Sequence, residues 1–296
     1  MRTKTLLISG TSALLIAGMV LVSCQKNDGL KSTTTSQANE RTASNVAYLE
    51  NLIGKDDADQ TEIALALSVH PTVQIASLNC TPSTTYDNPP GVYPRTVTVD
   101  FGATNCTQPA TGLTRRGKTI TTYFGDMADT TLLSTYIQTY DNYYVNDVKI
   151  EGQIKVSHNS RNKDPQNVYR YTYTNRKAIQ TNGDYTIMNG AKRMVKQVEN
   201  GEYPGPLRFG NFRVTGIVAG DVLEAGVPYQ WRDSIDEANP LIYDNCEFAV
   251  KGNLIIDFTN HSSWFINYGL GTCDDQAERT IDGVTETITL PFFRTE

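Results

Sequence analysis

Histidine and tryptophan are scarce in this sequence, with three and two among 296 residues. His70, His158 and His261 share no spacing that would start a zinc ligand set. No Gly-x-Ser-x-Gly elbow, His-Glu-x-x-His, phosphate loop or Cys-x-x-Cys occurs, so the common signatures of nucleophilic, metal-assisted and nucleotide-driven chemistry are missing. His70 precedes Pro71, where it reads as a helix-end residue. No metal, cofactor or catalytic set is therefore expected. Cations are also in deficit, 26 Lys and Arg against 32 Asp and Glu. A chain that binds nucleic acid would carry a basic face, so nucleic acid is not expected as a partner. The basic runs Arg115-Arg116-Gly117-Lys118 and Lys192-Arg193-Met194-Val195-Lys196 read as exposed strand faces or turns.

Long apolar runs are lacking too, with one exception near the start. Met1-Arg2-Thr3-Lys4 is a short basic flank, and Leu6 to Val22 is mostly apolar and small. This is the build of a secretory signal peptide over 1–23, and Ser9, Gly10, Ser12 and Gly18 dilute it too far for a good membrane span. Leu21-Val22-Ser23-Cys24 resembles the bacterial lipobox, which implies acylation of Cys24 as the new N-terminus. Losing Arg2 and Lys4 lowers the 26 basic residues to 24 and makes the mature net charge −8. Gln25-Lys26-Asn27-Asp28 is similar to the tetrapeptide that routes Bacteroidetes lipoproteins to the outer face of the outer membrane. The expected address is a lipid anchor in the outer membrane at the cell surface, with the periplasmic face as the alternative. Residues 24–45 are rich in Ser, Thr, Gln and Asn and read as a flexible tether.

Four cysteines remain after Cys24: Cys80, Cys106, Cys246 and Cys273. In an exported chain an even number reads as disulfides, and four allow three pairings. The separations 80–106 and 246–273 are nearly equal, which favours one bridge inside each of two related segments.

The chain then divides by period. Over 46–71, Val46, Leu49 and Ile53 recur at helical spacing up to Gly54, and Asp59 with Glu62 looks like the capped start of a second short helix. Lys55 to Asp59 is then a loop and cap. From 72 to 296 the period is two: Val97, Val99 and Phe101 alternate with Thr96, Thr98 and Asp100, and Thr, Tyr, Val and Ile runs are separated by Gly, Asn, Asp and Pro. This predicts a mainly β domain, an antiparallel meander forming a sandwich or curved half-barrel, beside two short N-terminal helices. The strands repeat. Val148 to Val156 and Phe248 to Ile256 share apolar-x-apolar-x-Gly-x-apolar-x-apolar, and Asn182-Gly183 and Asp282-Gly283 keep the same offset. Asp100-Phe101-Gly102 to Cys106 is echoed by Asn267-Tyr268-Gly269 to Cys273, and the strand glycines read as bulges. His158 and His261 fall at corresponding strand ends of this duplication, which accounts for them without a metal.

Asp100 to Lys118, the strand around Gly152 and the closing Tyr268-Gly269-Leu270-Gly271-Thr272-Cys273-Asp274 resemble a family of Bacteroidetes outer-membrane and surface lipoproteins. The resemblance implies an all-β fold and a surface address. It implies no mechanism, because that family has no assigned activity.

Aromatic side chains are the remaining candidates for a site. Tyr169, Tyr171 and Tyr173 share a strand face, and Trp264 with Tyr268 occupies the corresponding region of the later repeat. Exposed, such rows stack on sugar rings or hold a protein partner; turned inward, they are core. The reading is a non-catalytic lipoprotein that binds a glycan or protein partner, with these five residues as the ligand site. The alternative is a structural or assembly component of the outer membrane. A glycan hydrolase using Asp100 or Asp257 ranks third, because two carboxylates must then face each other across a bond.

Overall fold

In the computed structural model, residues 80–290 are described apart from 109–111, 128–133, 160–165, 198–210, 245, 247 and 260; ahead of them residues 46, 49, 52–54, 56, 57, 59–61, 63, 64 and 67 are described. The signal peptide, Cys24, the tether and His70 lie outside the described residues.

The strands are β1 (Ser83–Tyr86), β2 (Arg95–Asp100), β3 (Cys106–Thr107), β4 (Thr114–Tyr123), β5 (Ser134–Val145), β6 (Val148–Asn159), β7 (Gln166–Ile179), β8 (Tyr185–Gln197), β9 (Asn211–Glu224), β10 (Val227–Ile235), β11 (Leu241–Asp244), β12 (Lys251–Phe258), β13 (His261–Leu270), β14 (Gln276–Ile281) and β15 (Val284–Thr289). All fifteen belong to one sheet, ordered β1-β2-β4-β5-β6-β7-β8-β9-β10-β12-β13-β14-β15, with β3 beside β4 and β11 bridging β9 and β12. Every pairing is antiparallel, as the period-two pattern predicts. A sandwich needs two sheets; the meander here is hydrogen-bonded without a break.

One face of the sheet is the core. Val97 and Val99 on β2, Tyr169, Tyr171 and Tyr173 on β7, Trp231 on β10 and Ile256 on β12 are all buried in one cluster, while their strand neighbours point the other way. The helical segment packs into the same cluster through Val46, Leu49, Ile53, Ala64 and Leu67. Every described residue between 46 and 67 is helical, Gly54, Asp56 and Asp57 included, so the break expected at Gly54 and the loop from Lys55 to Asp59 are not seen among the described residues.

The disulfides are Cys80–Cys106 and Cys246–Cys273, the pairing that the equal separations favoured. The duplication is also visible in backbone detail. Asp100 Oδ1 accepts from the Gly102 amide at 2.8 Å, and Asn267 Oδ1 from the Gly269 amide at 2.9 Å, each turn leading to its cysteine.

Bulges then decide which side chains face the core. Arg116 pairs Tyr144 while Lys118 pairs Asp141, so β5 carries one extra residue against β4. Glu151 pairs Lys177 while Gln153 pairs Thr174, so β7 carries one extra residue against β6. Asn142 and Asn175 sit at these points with φ of 45° and 46°, the left-handed region that asparagine tolerates. Opposite them stand Gly117 and Gly152. A Cβ on Gly152 would lie 2.0 Å from the Asn175 carbonyl oxygen, and one on Gly117 1.9 Å from that of Asn142. Each bulge flips the parity of its strand. Beyond Tyr173 the next buried side chain is Arg176, and beyond Gln138 the buried series resumes at Tyr143 and Val145.

Candidate functional site

Among the described residues, two places gather chemistry-bearing side chains, one inside and one outside the sheet. Inside, Asp56, Asp57, Asp59, Gln60 and Thr61 of the helical segment are each at most 3% exposed. Arg115 of β4 donates from Nε to Asp56 Oδ1 at 2.9 Å, from Nη2 to Asp59 Oδ2 at 2.7 Å and from Nη1 to Gln108 Oε1 at 2.6 Å. Arg176 of β7 meets Asp57 Oδ1 at 2.7 Å and lies 4.1 Å over the Tyr140 ring. Tyr143 donates to Asp56 Oδ1 at 2.8 Å, Gln138 to Gln60 at 3.2 Å, and Thr61 is 2.8 Å from the Tyr136 hydroxyl. Farther along, Tyr123 donates to the Ala64 carbonyl at 2.9 Å and Arg95 to that of Leu67 at 2.7 Å. These bonds fasten the helical segment across β2, β4, β5 and β7.

Three carboxylates thus face two guanidinium groups in the buried interior, where an unmatched charge is costly. Burial pushes the Asp57 carboxyl up to about 7 against the pull of Arg176, with Asp56 adding to the rise. Burial opposes the Arg115 charge, yet Tyr143, Asp56 and Asp59 hold its pKa above the ordinary arginine value. Burial raises the Tyr136, Tyr140 and Tyr143 phenols well above theirs. The interior constellation is a structural latch in which most donors and acceptors meet one another, while Asp56 Oδ2, Asp57 Oδ2 and the Nε and Nη1 of Arg176 are buried with no hydrogen-bond partner among the described residues.

Arg115 was expected on an exposed face and is instead fully buried; only Arg116 and Lys118 of that run reach the surface. The aromatic row is likewise corrected. Tyr169, Tyr171, Tyr173 and Trp264 are 2%, 3%, 7% and 2% exposed, and Tyr268 packs partly buried against the same core. The face that looked free for a ligand is the one the helical segment and the core require. Tyr169 stacks on His158 with centroids 4.5 Å apart, and Trp264 lies under Arg279. The His158 Nδ1 sits 3.2 Å from the Met127 carbonyl oxygen, and His261 packs on Tyr229, so both histidines are engaged in packing. Asp100 and Asp257 stand on β2 and β12, eight steps apart in strand order. Asp100 is taken up by Gly102 and Lys118, and Asp257 accepts from Ser263 at 2.6 Å. No hydrogen bond or shared partner joins the two among the described residues.

Outside, an open groove of about 500 Å³ crosses β7, β8, β9 and the end of β10. It exists because the turn after β10 folds back along the sheet: Arg213 donates to the Glu237 carbonyl at 2.7 Å, and Asp236 Oδ1 accepts from the Ala238 amide at 3.1 Å. Arg170, Arg193 and Thr215 form one outward row, since Arg170 pairs Arg193 and Arg193 pairs Thr215 across neighbouring strands. Ala191 and Ile217 form the next row, and Asp236 and Glu237 the acidic rim. Lys192 also borders the groove, but its ammonium is 3.1 Å from the buried Asp233 carboxylate. Lys192 and Arg193 stand out in the sequence as a basic run, but nothing in the sequence joins them to Arg170 or to Asp236. The register of β7 on β8 joins them to Arg170, and the turn after β10, held by Arg213, brings Asp236 beside them.

Comparison with known proteins finds no matching family model, no matching curated protein and no matching solved structure.

Proposed function

We propose that the chain is a lipid-anchored protein of the outer-membrane surface that binds a glycan without catalysing its cleavage, and that the ligand lies in the groove over β7–β10. The anchor rests on the lipobox Leu21-Val22-Ser23-Cys24 and the surface address on Gln25-Lys26-Asn27-Asp28. The observation that carries the binding reading is the composition of the groove. Two carboxylates (Asp236, Glu237) and an apolar floor (Ala191, Ile217) line an open trough, with Thr215 buried beneath it. Sugars need this mixture, with acceptors for their hydroxyls and an apolar surface for the ring face. An open trough also accepts a chain entering and leaving at both ends.

A structural or assembly component of the outer membrane would present a concave sheet face to lipid or a porin. Over β4–β7 the inward face holds the chain's own helical segment, which favours ligand capture on the outward face. The test has two arms. Protease shaving of intact cells should digest the mature protein, and resistance until lysis would place it in the periplasm. The purified mature domain should then select discrete members of a glycan array, and an array without any binding would reject the glycan reading.

A further inference from the structure

Arg170 and Arg193 stand directly opposite each other on β7 and β8, both exposed and both in the groove. Like charges in that position repel across roughly 5 Å. On the adjoining strands Lys149 is answered by Glu151 at 2.7 Å and Lys192 by Asp233 at 3.1 Å, whereas Lys155 on β6 has no ion pair among the described residues. Among the described residues, neither the Arg170 nor the Arg193 side chain makes an ion pair or a hydrogen bond. Asp236 is within the same groove, but its carboxylate is turned to the Ala238 amide. Two adjacent guanidinium groups left unmatched beside a trough form a receptor for an anionic group that bridges them.

We infer that the glycan is acidic, and that a sugar carboxylate sits between Arg170 and Arg193. This rests on the glycan reading above and narrows it. Guanidinium is planar and offers paired donors that match a carboxylate's two oxygens. The rim decides among anions. With Asp236 and Glu237 close by, and the whole chain at −6, the groove tolerates one negative charge per sugar and repels densely charged polymers. A uronic acid fits that limit: its carboxylate bridges the arginines while its hydroxyls donate to the rim carboxylates. A heavily sulfated or phosphorylated chain does not.

Calorimetric titration of the mature domain with oligogalacturonate, alginate and hyaluronan oligosaccharides tests this, with each methyl ester and a sulfated galactan as comparisons. At least one uronate is expected to bind at 50 mM salt, weaken about tenfold or more on methyl esterification, and weaken again as salt rises. Arg170→Gln with Arg193→Gln should remove that binding and leave the melting temperature unchanged or slightly higher. Equal binding of the free acid and its ester, or unchanged binding in the double variant, would overturn the carboxylate assignment and leave the glycan reading standing. A preference for the sulfated galactan would overturn it in favour of a different anion. Binding to neutral array glycans alone would also overturn it, whereas silence from every glycan would remove both readings together.

Discussion

At the scale of the residue, the buried Asp–Arg constellation carries the sharpest consequences. Arg115 answers both Asp56 and Asp59, at 2.9 and 2.7 Å, and all three side chains are buried. Arg115→Met leaves two buried carboxylates unpaired and should destabilise the domain by about 3–5 kcal/mol, read from urea unfolding with the disulfides intact. Asp57 gives a pH signature of definite sign. Its carboxyl is raised from 3.8 to about 7 by burial, with Asp56 beside it and Arg176, Tyr173 and Lys192 opposing. The folded protein therefore holds a proton that the unfolded chain has released, between about pH 4 and 7. The stability contributed by that proton is complete below pH 4 and is lost as pH rises through 7. Asp57→Asn should flatten this part of the profile and be at least as stable as the wild type at pH 8. Melting curves at half-unit steps from pH 4 to 8 decide it, and identical slopes for both proteins would show that Asp57 does not hold the proton.

At the scale of the element, the strands were legible and their exceptions were not. Alternation in Thr96 to Phe101 and around Tyr169 to Tyr173 predicts two-faced strands, and these are what form. Strict alternation from Tyr173 would send Arg176 outward, yet the bulge at Asn175 turns it into the core. The signal was present in the asparagine and in Gly152 across the ladder, but one sequence does not show that they face each other. The helical segment has a similar lesson. Val46, Leu49, Ile53, Asp56, Gln60, Ala64 and Leu67 recur every three or four positions and are all buried, so the acidic residues continue the apolar stripe. Charge alone argued for a solvated loop; the partners that overrule it, Arg115 and Arg176, lie 56 or more positions away in the chain. Gly152→Ala tests the bulge. Its Cβ would lie 2.0 Å from the Asn175 oxygen at a φ of 88°, so a loss of about 2 kcal/mol or more is expected in chemical denaturation. Asn175→Gly, which keeps the left-handed residue, should cost no more than about 1 kcal/mol.

At the scale of the whole molecule, the two disulfides, the paired glycine turns and the repeated bulges describe a duplicated meander closed by one core. Each bridge joins residues 26 or 27 apart, so reduction should lower stability by roughly 3 kcal/mol per bridge in the loop-entropy account, measured as the shift in urea midpoint after mild reductant. The molecule spends its inward face on itself, latch and tyrosine row alike, and presents the groove over β7–β10 outward. Nothing in the alternation of single strands distinguishes that groove from the rest of the outward face. It arises from register and from the turn held by Arg213. The most direct test of this division of labour compares glycan binding in two variants of the mature domain. Ile217→Trp fills the groove from an exposed position, and Tyr171→Phe alters the inward row by a single buried hydroxyl. The account predicts that Ile217→Trp abolishes binding with an unchanged melting temperature, while Tyr171→Phe binds as the wild type does. Full binding by Ile217→Trp, or loss of binding in a well-folded Tyr171→Phe, would contradict it.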